Sequence, residues 1–150
     1  MMSTALTDRG VDRDDRLVHL DVPCASRSLA LLRLAMVTVL SDAGATMTEM
    51  DAGRFAISEL SALAVDASNS AGRLVVTIRP LLDSVRLDGE TSTGCRPVEP
   101  SSFVTALLDQ LLVEWSAAAD DRCRFHAIVP VRDAASAPDA ADGGGGSPPG

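Results

Sequence analysis

Apolar and polar positions along this chain follow two rhythms, and the switches between them mark seven elements. In "RLVHLDVP", Leu17, His19 and Asp21 alternate with Val18, Leu20 and Val22 up to Pro23, which predicts a strand. "SRSLALLRLAMVTVLSDAG" predicts a helix, with Ser26 or Ser28 as N-cap and Gly44 as the stop. A second helix begins near "MTEMDAGRFAISEL", capped by Thr46 or Thr48, and runs to about Ser68. "SNSAG" is a turn. "RLVVTIRP", stopped by Pro80, and "LLDSVRLDGE", with Val85 and Leu87 on one face, predict an antiparallel hairpin turning at Asp83 and Ser84. "TSTGCRPVEP" is a loop. "SSFVTALLDQLLVEWSA" predicts a third helix, capped by Ser101 or Ser102, with Phe103, Ala106, Leu107, Leu111 and Trp115 as its apolar stripe. "RCRFHAIVPV" sets Cys123, Phe125, Ala127 and Val129 against Arg124, His126 and Ile128, a closing strand.

The order is strand, helix, helix, strand, strand, helix, strand. Such helices bury their stripes on one face of a sheet. The expected fold is therefore α/β, a two-layer sandwich of a mixed, mostly antiparallel sheet with helices on one face. One domain should span residues 16–132. Residues 1–15 are polar and acidic and read as a disordered leader. Residues 133–150, rich in Ala, Gly, Pro and Asp, read as a disordered tail.

Composition narrows the function. All 13 basic residues are Arg, and the formal net charge is −8. Neutralising nucleic-acid phosphates or docking on anionic lipid needs a basic surface, so neither partner is expected. A protein with basic surfaces suits the charge. The first 15 residues are unlike a signal peptide. The longest apolar run, "LALLRLAMVTVL", is broken by Arg33 and too short to span a bilayer. A cytoplasmic protein follows, with Cys24, Cys95 and Cys123 as reduced thiols. The three cysteines form no CxxC pair, so no zinc site is expected. His19 and His126 read as strand histidines rather than metal ligands. Cys24 reads as a buried, inert thiol. Asp109 and Glu114 read as a solvated helix face, and no GxSxG elbow marks a serine nucleophile.

One carboxylate stands out. In "FAISELSALAVDAS", Glu59 lies among the apolar positions Phe55, Ile57, Leu60, Leu63, Ala64 and Ala67. A glutamate there either lies along the core edge with its head in water, or pairs with Arg54 or Arg33, or lines a pocket.

The order of elements, with "DVPCASRSLALLRL" followed by "AISELSALAVDA", resembles the anti-sigma factor serine kinases of bacterial partner-switching systems. These belong to the histidine-kinase-like ATPase (GHKL) superfamily. The resemblance covers roughly Leu17 to Val131 and is most like the actinobacterial stress-response anti-sigma factors, whose nucleotide motifs are also eroded. In the superfamily the second helix carries a catalytic Glu and, four residues on, a magnesium-binding Asn. Glu59 matches the first, but Leu63 stands at the second, and a leucine offers Mg²⁺ no oxygen. An Asp-x-Gly-x-Gly motif holds the adenine. Here Asp88 and Gly89 are adjacent, one residue out of register, with Gly94 as a later glycine. The glycine-rich phosphate loop is replaced by "CRPVEPSSF", whose prolines remove N–H donors.

The resemblance thus implies the histidine-kinase-like ATPase fold with a degenerate ATP site at Glu59, Leu63, Asp88, Gly89 and Gly94, and no metal ligand set. It implies a homodimeric anti-sigma regulator that sequesters a sigma factor and is released by an antagonist protein, with Arg27, Leu31, Arg33 and Leu34 in or near the sigma-binding surface. The enzyme alternative is an active ATP-dependent serine/threonine kinase that phosphorylates the antagonist, with Glu59 as the catalytic residue. A structural α/β module with an unrelated partner is the third reading.

Overall fold

The computed structural model describes residues 16–68, 71–96 and 99–132. The expected leader and tail, and parts of the "SNSAG" turn and "CRPVEP" loop, lie outside these residues. The elements run β1 (Val18–Pro23), α1 (Leu29–Asp42), α2 (Met47–Ala67), β2 (Arg73–Pro80), β3 (Ser84–Thr91), α3 (Ser102–Leu111), β4 (Glu114–Ala119) and β5 (Cys123–Pro130). The strands form one sheet in the order β1-β2-β3-β5-β4, and every neighbouring pair is antiparallel. The sheet is thus wholly antiparallel rather than mixed. The two-layer sandwich stands.

Register follows from alternation. One row crosses the sheet through Leu20, Val76, Gly89, Phe125 and Ala117, and this face meets the helices. The next row, His19, Thr77, Asp88, His126 and Ser116, lies on the opposite face. α1 packs on β1 and β2, α2 on β3 and β5, and α3 on α2 and β4. Leu32, Met36 and Leu40 of α1 meet Ile57, Leu60 and Ala64 of α2 in the core, above Leu74, Val76, Ile78, Val85 and Leu87. Gly53 makes the helix pair close: a Cβ there would strike the Leu40 side chain.

Local signals explain the helix ends. A short 3-10 turn, Ser26–Ser28, precedes α1, and the Ser28 hydroxyl donates to the Pro23 carbonyl (2.8 Å) instead of capping the helix. Gly44 follows α1 with φ +87°, a conformation that favours glycine. α2 starts with a capping box. Thr46 Oγ1 accepts from the Glu49 N–H (3.1 Å), and Glu49 Oε1 accepts from the Thr46 N–H (2.9 Å). The other carboxylate oxygen of Glu49 accepts from the Arg132 N–H (3.0 Å). One buried carboxylate therefore ties the chain after β5 to the start of α2. Glu49→Ala should lower unfolding free energy by about 2 kcal/mol, because it removes a cap and strands two N–H donors. Glu49→Gln should lose less; a urea titration comparing the two checks this.

The third helix is shorter than the sequence implies. It ends at Leu111, and Glu114–Ala119 is an edge strand on β5. Trp115 and Glu114 are consequently strand residues, not members of a helical stripe or face. Trp115 is half-buried and donates its indole N–H to Asp109 (2.8 Å).

Candidate functional site

Two regions bear on the site implied by the sequence: the seam between α2 and the β4–β5 edge, and the outer face of α1. Glu59 and Leu63 lie four apart on α2 and so share one side of the helix. Leu63 is half-buried and lines the seam with Leu60, Ala64, Ala67, Phe125 and the alanines of β4. The space left there is about 10 Å³, at the lower limit for one water molecule. A nucleotide needs a pocket of several hundred Å³ (roughly 300–1,000), so binding one here requires α2 and β4 to part. Glu59 is half-buried and makes no hydrogen bond or ion pair among the described residues. The expected partner Arg54 is held instead by Asp51 (3.0 Å), and Arg33 does not reach Glu59 either.

The remaining candidates are not brought to Glu59 and Leu63. Asp88 lies on the sheet face turned away from the helices, gripped by Arg86 through two hydrogen bonds of 2.9 and 3.1 Å. Hydrogen bonding to Asp88 raises the Arg86 pKa above its ordinary value, against a smaller effect of desolvation. Gly89 faces the helices, and the Phe125 ring occupies the space its side chain would fill. Gly94 sits against the β4–β5 turn, where a Cβ would come within 3.0 Å of the Asp121 carbonyl oxygen. The residues present do not fit a nucleotide-bound Mg²⁺: Leu63 offers no oxygen, and no cluster of three His, Cys, Asp or Glu side chains suited to a metal exists among the described residues.

The loop after β3 is fastened rather than open. Cys95 and Cys123 form a disulfide, with Cα atoms 5.8 Å apart. This corrects the expectation of three reduced thiols; Cys24 alone is free, and it is buried. Arg96 adds two bonds to the end of α2, from its N–H to the Ala67 carbonyl (3.0 Å) and from Nη2 to the Asp66 carbonyl (3.0 Å). The first two residues of the segment that the resemblance equates with a phosphate loop are therefore laced to α2 and β5.

α1 has the opposite character. Leu32, Met36, Val39 and Leu40 face the core, but Leu31 and Leu34 face outward, 47% and 64% exposed. Arg27, Ala30, Leu31, Leu34 and Thr38 are all exposed, and their spacing of three and four places them along one side. No described element covers that side. The helix is apolar nearly all round, so packing one face leaves a second without a partner.

No helix in the described residues is long and apolar enough to cross a membrane. No protein-family model matches the chain, and no curated protein matches it.

Proposed function

We propose that this chain is a regulatory binding protein of the anti-sigma type. It holds a sigma factor on the outer face of α1 and gives it up to an antagonist protein. The observation that carries the reading is the exposed pair Leu31 and Leu34 on a helix whose other side is fully buried. Exposed apolar side chains beside Arg27 and Arg33 match the apolar centre and arginine enrichment of protein interfaces. The order of elements favours the same reading, and the net charge of −8 gives long-range attraction to a basic partner although the anchor face itself carries Arg27 and Arg33.

In this reading the ATP site is degenerate. Leu63 fills the place of a metal ligand, and the seam beside it is closed. The protein works in the cytoplasm as a homodimer. Sequestration then needs no nucleotide, and phosphorylation of the antagonist is not part of its activity.

Leu31→Asp combined with Leu34→Asp should weaken sigma binding by about 30-fold or more, the scale of losing a hot spot. Because both side chains are exposed, the thermal midpoint should hardly change. Titration calorimetry with the cognate sigma factor, alongside a melting curve, checks both. Unchanged affinity would place the partner on another surface.

A further inference from the structure

The sheet face turned away from the helices holds a second constellation, independent of sigma binding. At the β4 end of its central row, Ser116 Oγ lies 2.8 Å from His126 Nδ1. His126 Nε2 lies 2.7 Å from Glu114 Oε2. Two structural facts put them together. Glu114 and Ser116 are two apart on one strand and so point to the same face. His126 is the cross-strand partner of Ser116, so its ring stands beside both.

In the neutral ring the partners set the tautomer. A carboxylate only accepts, so Nε2 carries the hydrogen given to Glu114. The neutral imidazole then has its lone pair on Nδ1, where it accepts the Ser116 O–H. This is the order of groups that activates a serine: hydroxyl, base, and an acid orienting the base. Ser116 is exposed and His126 half-buried, so the hydroxyl is accessible while the base is held.

Ser116 and His126 line a groove of about 640 Å³ on this face, within the usual range of ligand sites. Arg124 lines it too, two residues before His126 on β5 and opposite Ala118. Its approaches to Glu90, Asp120 and Asp121 are 3.6, 3.9 and 3.9 Å. These are ion pairs rather than hydrogen bonds, so its N–H groups keep hydrogen-bonding capacity for a new anion that competes with the three carboxylates.

We propose that Ser116 and His126 form a nucleophilic centre that hydrolyses small carboxylic esters, with Glu114 positioning the base and Arg124 facing the developing oxyanion. Ser116 Oγ attacks the acyl carbon, and its proton passes to His126 Nδ1. The tetrahedral adduct collapses, the bond to the alcohol breaks, and the leaving oxygen takes that proton. Water then attacks the acyl-serine and gives a proton to Nδ1. The carboxylic acid leaves, and the proton returns to Ser116. One ester and one water yield one acid and one alcohol.

The test uses the full chain with a fluorophosphonate probe and with p-nitrophenyl acetate. The probe should label Ser116, as read by peptide mass spectrometry. Ser116→Ala should abolish labelling, and His126→Gln should slow ester hydrolysis by about 100-fold or more, the scale of general base catalysis. Glu114→Gln should lower kcat and leave KM unchanged, which a merely structural role would not do. His19→Gln, on the far strand of the same row, should leave the rate as it is. Melting curves show that each variant is folded, and His126→Gln serves if Ser116→Ala is not. A wild-type chain that is neither labelled nor hydrolytic overturns the proposal, as does hydrolysis that survives both substitutions. In either case the three side chains only tie the edge strand to its neighbour.

Discussion

Phe125→Ala should lower unfolding stability by about 3–5 kcal/mol, the range for emptying a buried aromatic site. Phe125 is 5% exposed, lies under α2, lines the seam beside Leu63 and covers Gly89. The loss combines apolar transfer with the cavity left between rigid neighbours. The fit with Gly89 adds a second arm. Gly89→Ala alone should be destabilising by about 1–3 kcal/mol, because the ring must shift to admit a methyl group. In a Phe125→Leu background the same change should be milder. A double-mutant cycle from urea unfolding measures the coupling. Additive effects would mean that ring and glycine do not constrain each other.

Breaking the Cys95–Cys123 disulfide should have a similar effect. Its two cysteines are 28 residues apart, and closing a loop of that size in the unfolded chain is worth about 3–4 kcal/mol on the chain-entropy account. Cys95→Ala should reproduce the loss, and a reducing agent should bring the wild type to the same level. Cys24 is buried and should contribute nothing to the difference. Equal stability of oxidised and reduced protein would contradict the linkage. The result also bears on the proposed cytoplasmic location, because the cytoplasm is a reducing environment in which structural disulfides are rare. There the loop after β3 would keep its hydrogen bonds to Arg73, Ala67 and Asp66.

Much of this fold is legible in the chain. The alternation in "RCRFHAIVPV" places Cys123, Phe125, Ala127 and Val129 inward, as observed. Thr46 and Glu49 stand three apart and close the capping box at the start of α2. The parity of a strand likewise puts Asp88 on the face opposite Leu87. β4 is hidden because the apolar spacing of Phe103, Leu107 and Leu111 continues in step to Trp115, with no glycine or proline to stop it, whereas the helix itself buries Leu108 and leaves Phe103 71% exposed. Ala117, Ala118 and Ala119 are also strong helix formers. Pairing with β5, a tertiary effect, overrides that preference. The relation of Ser116 to His126 is concealed with the strand.

Other contacts depend on residues far apart in sequence. Cysteine spacing does not name a disulfide pair; Cys95 meets Cys123 because β3 and β5 are neighbours and Cys95, bridged to Ser68 after α2, lies beside the start of β5. Gly89 reads as a piece of a binding motif, but its structural work is to make room for a ring contributed by another strand. Glu59 and Leu63 do share a helix side, as their spacing requires. That the space beside Leu63 is closed depends on the alanines of a strand the sequence conceals.

The central claim is that the chain sequesters a sigma factor without nucleotide. The most direct measurement is calorimetric titration of the purified chain with its candidate sigma factors, in the absence and presence of ATP and Mg²⁺, with a radiolabelled phosphate assay on the antagonist. The account predicts tight one-site binding to one sigma factor, unchanged by ATP and Mg²⁺, and no phosphate on the antagonist. Binding that requires ATP, or a phosphorylated antagonist, would contradict it and assign the chain as a kinase.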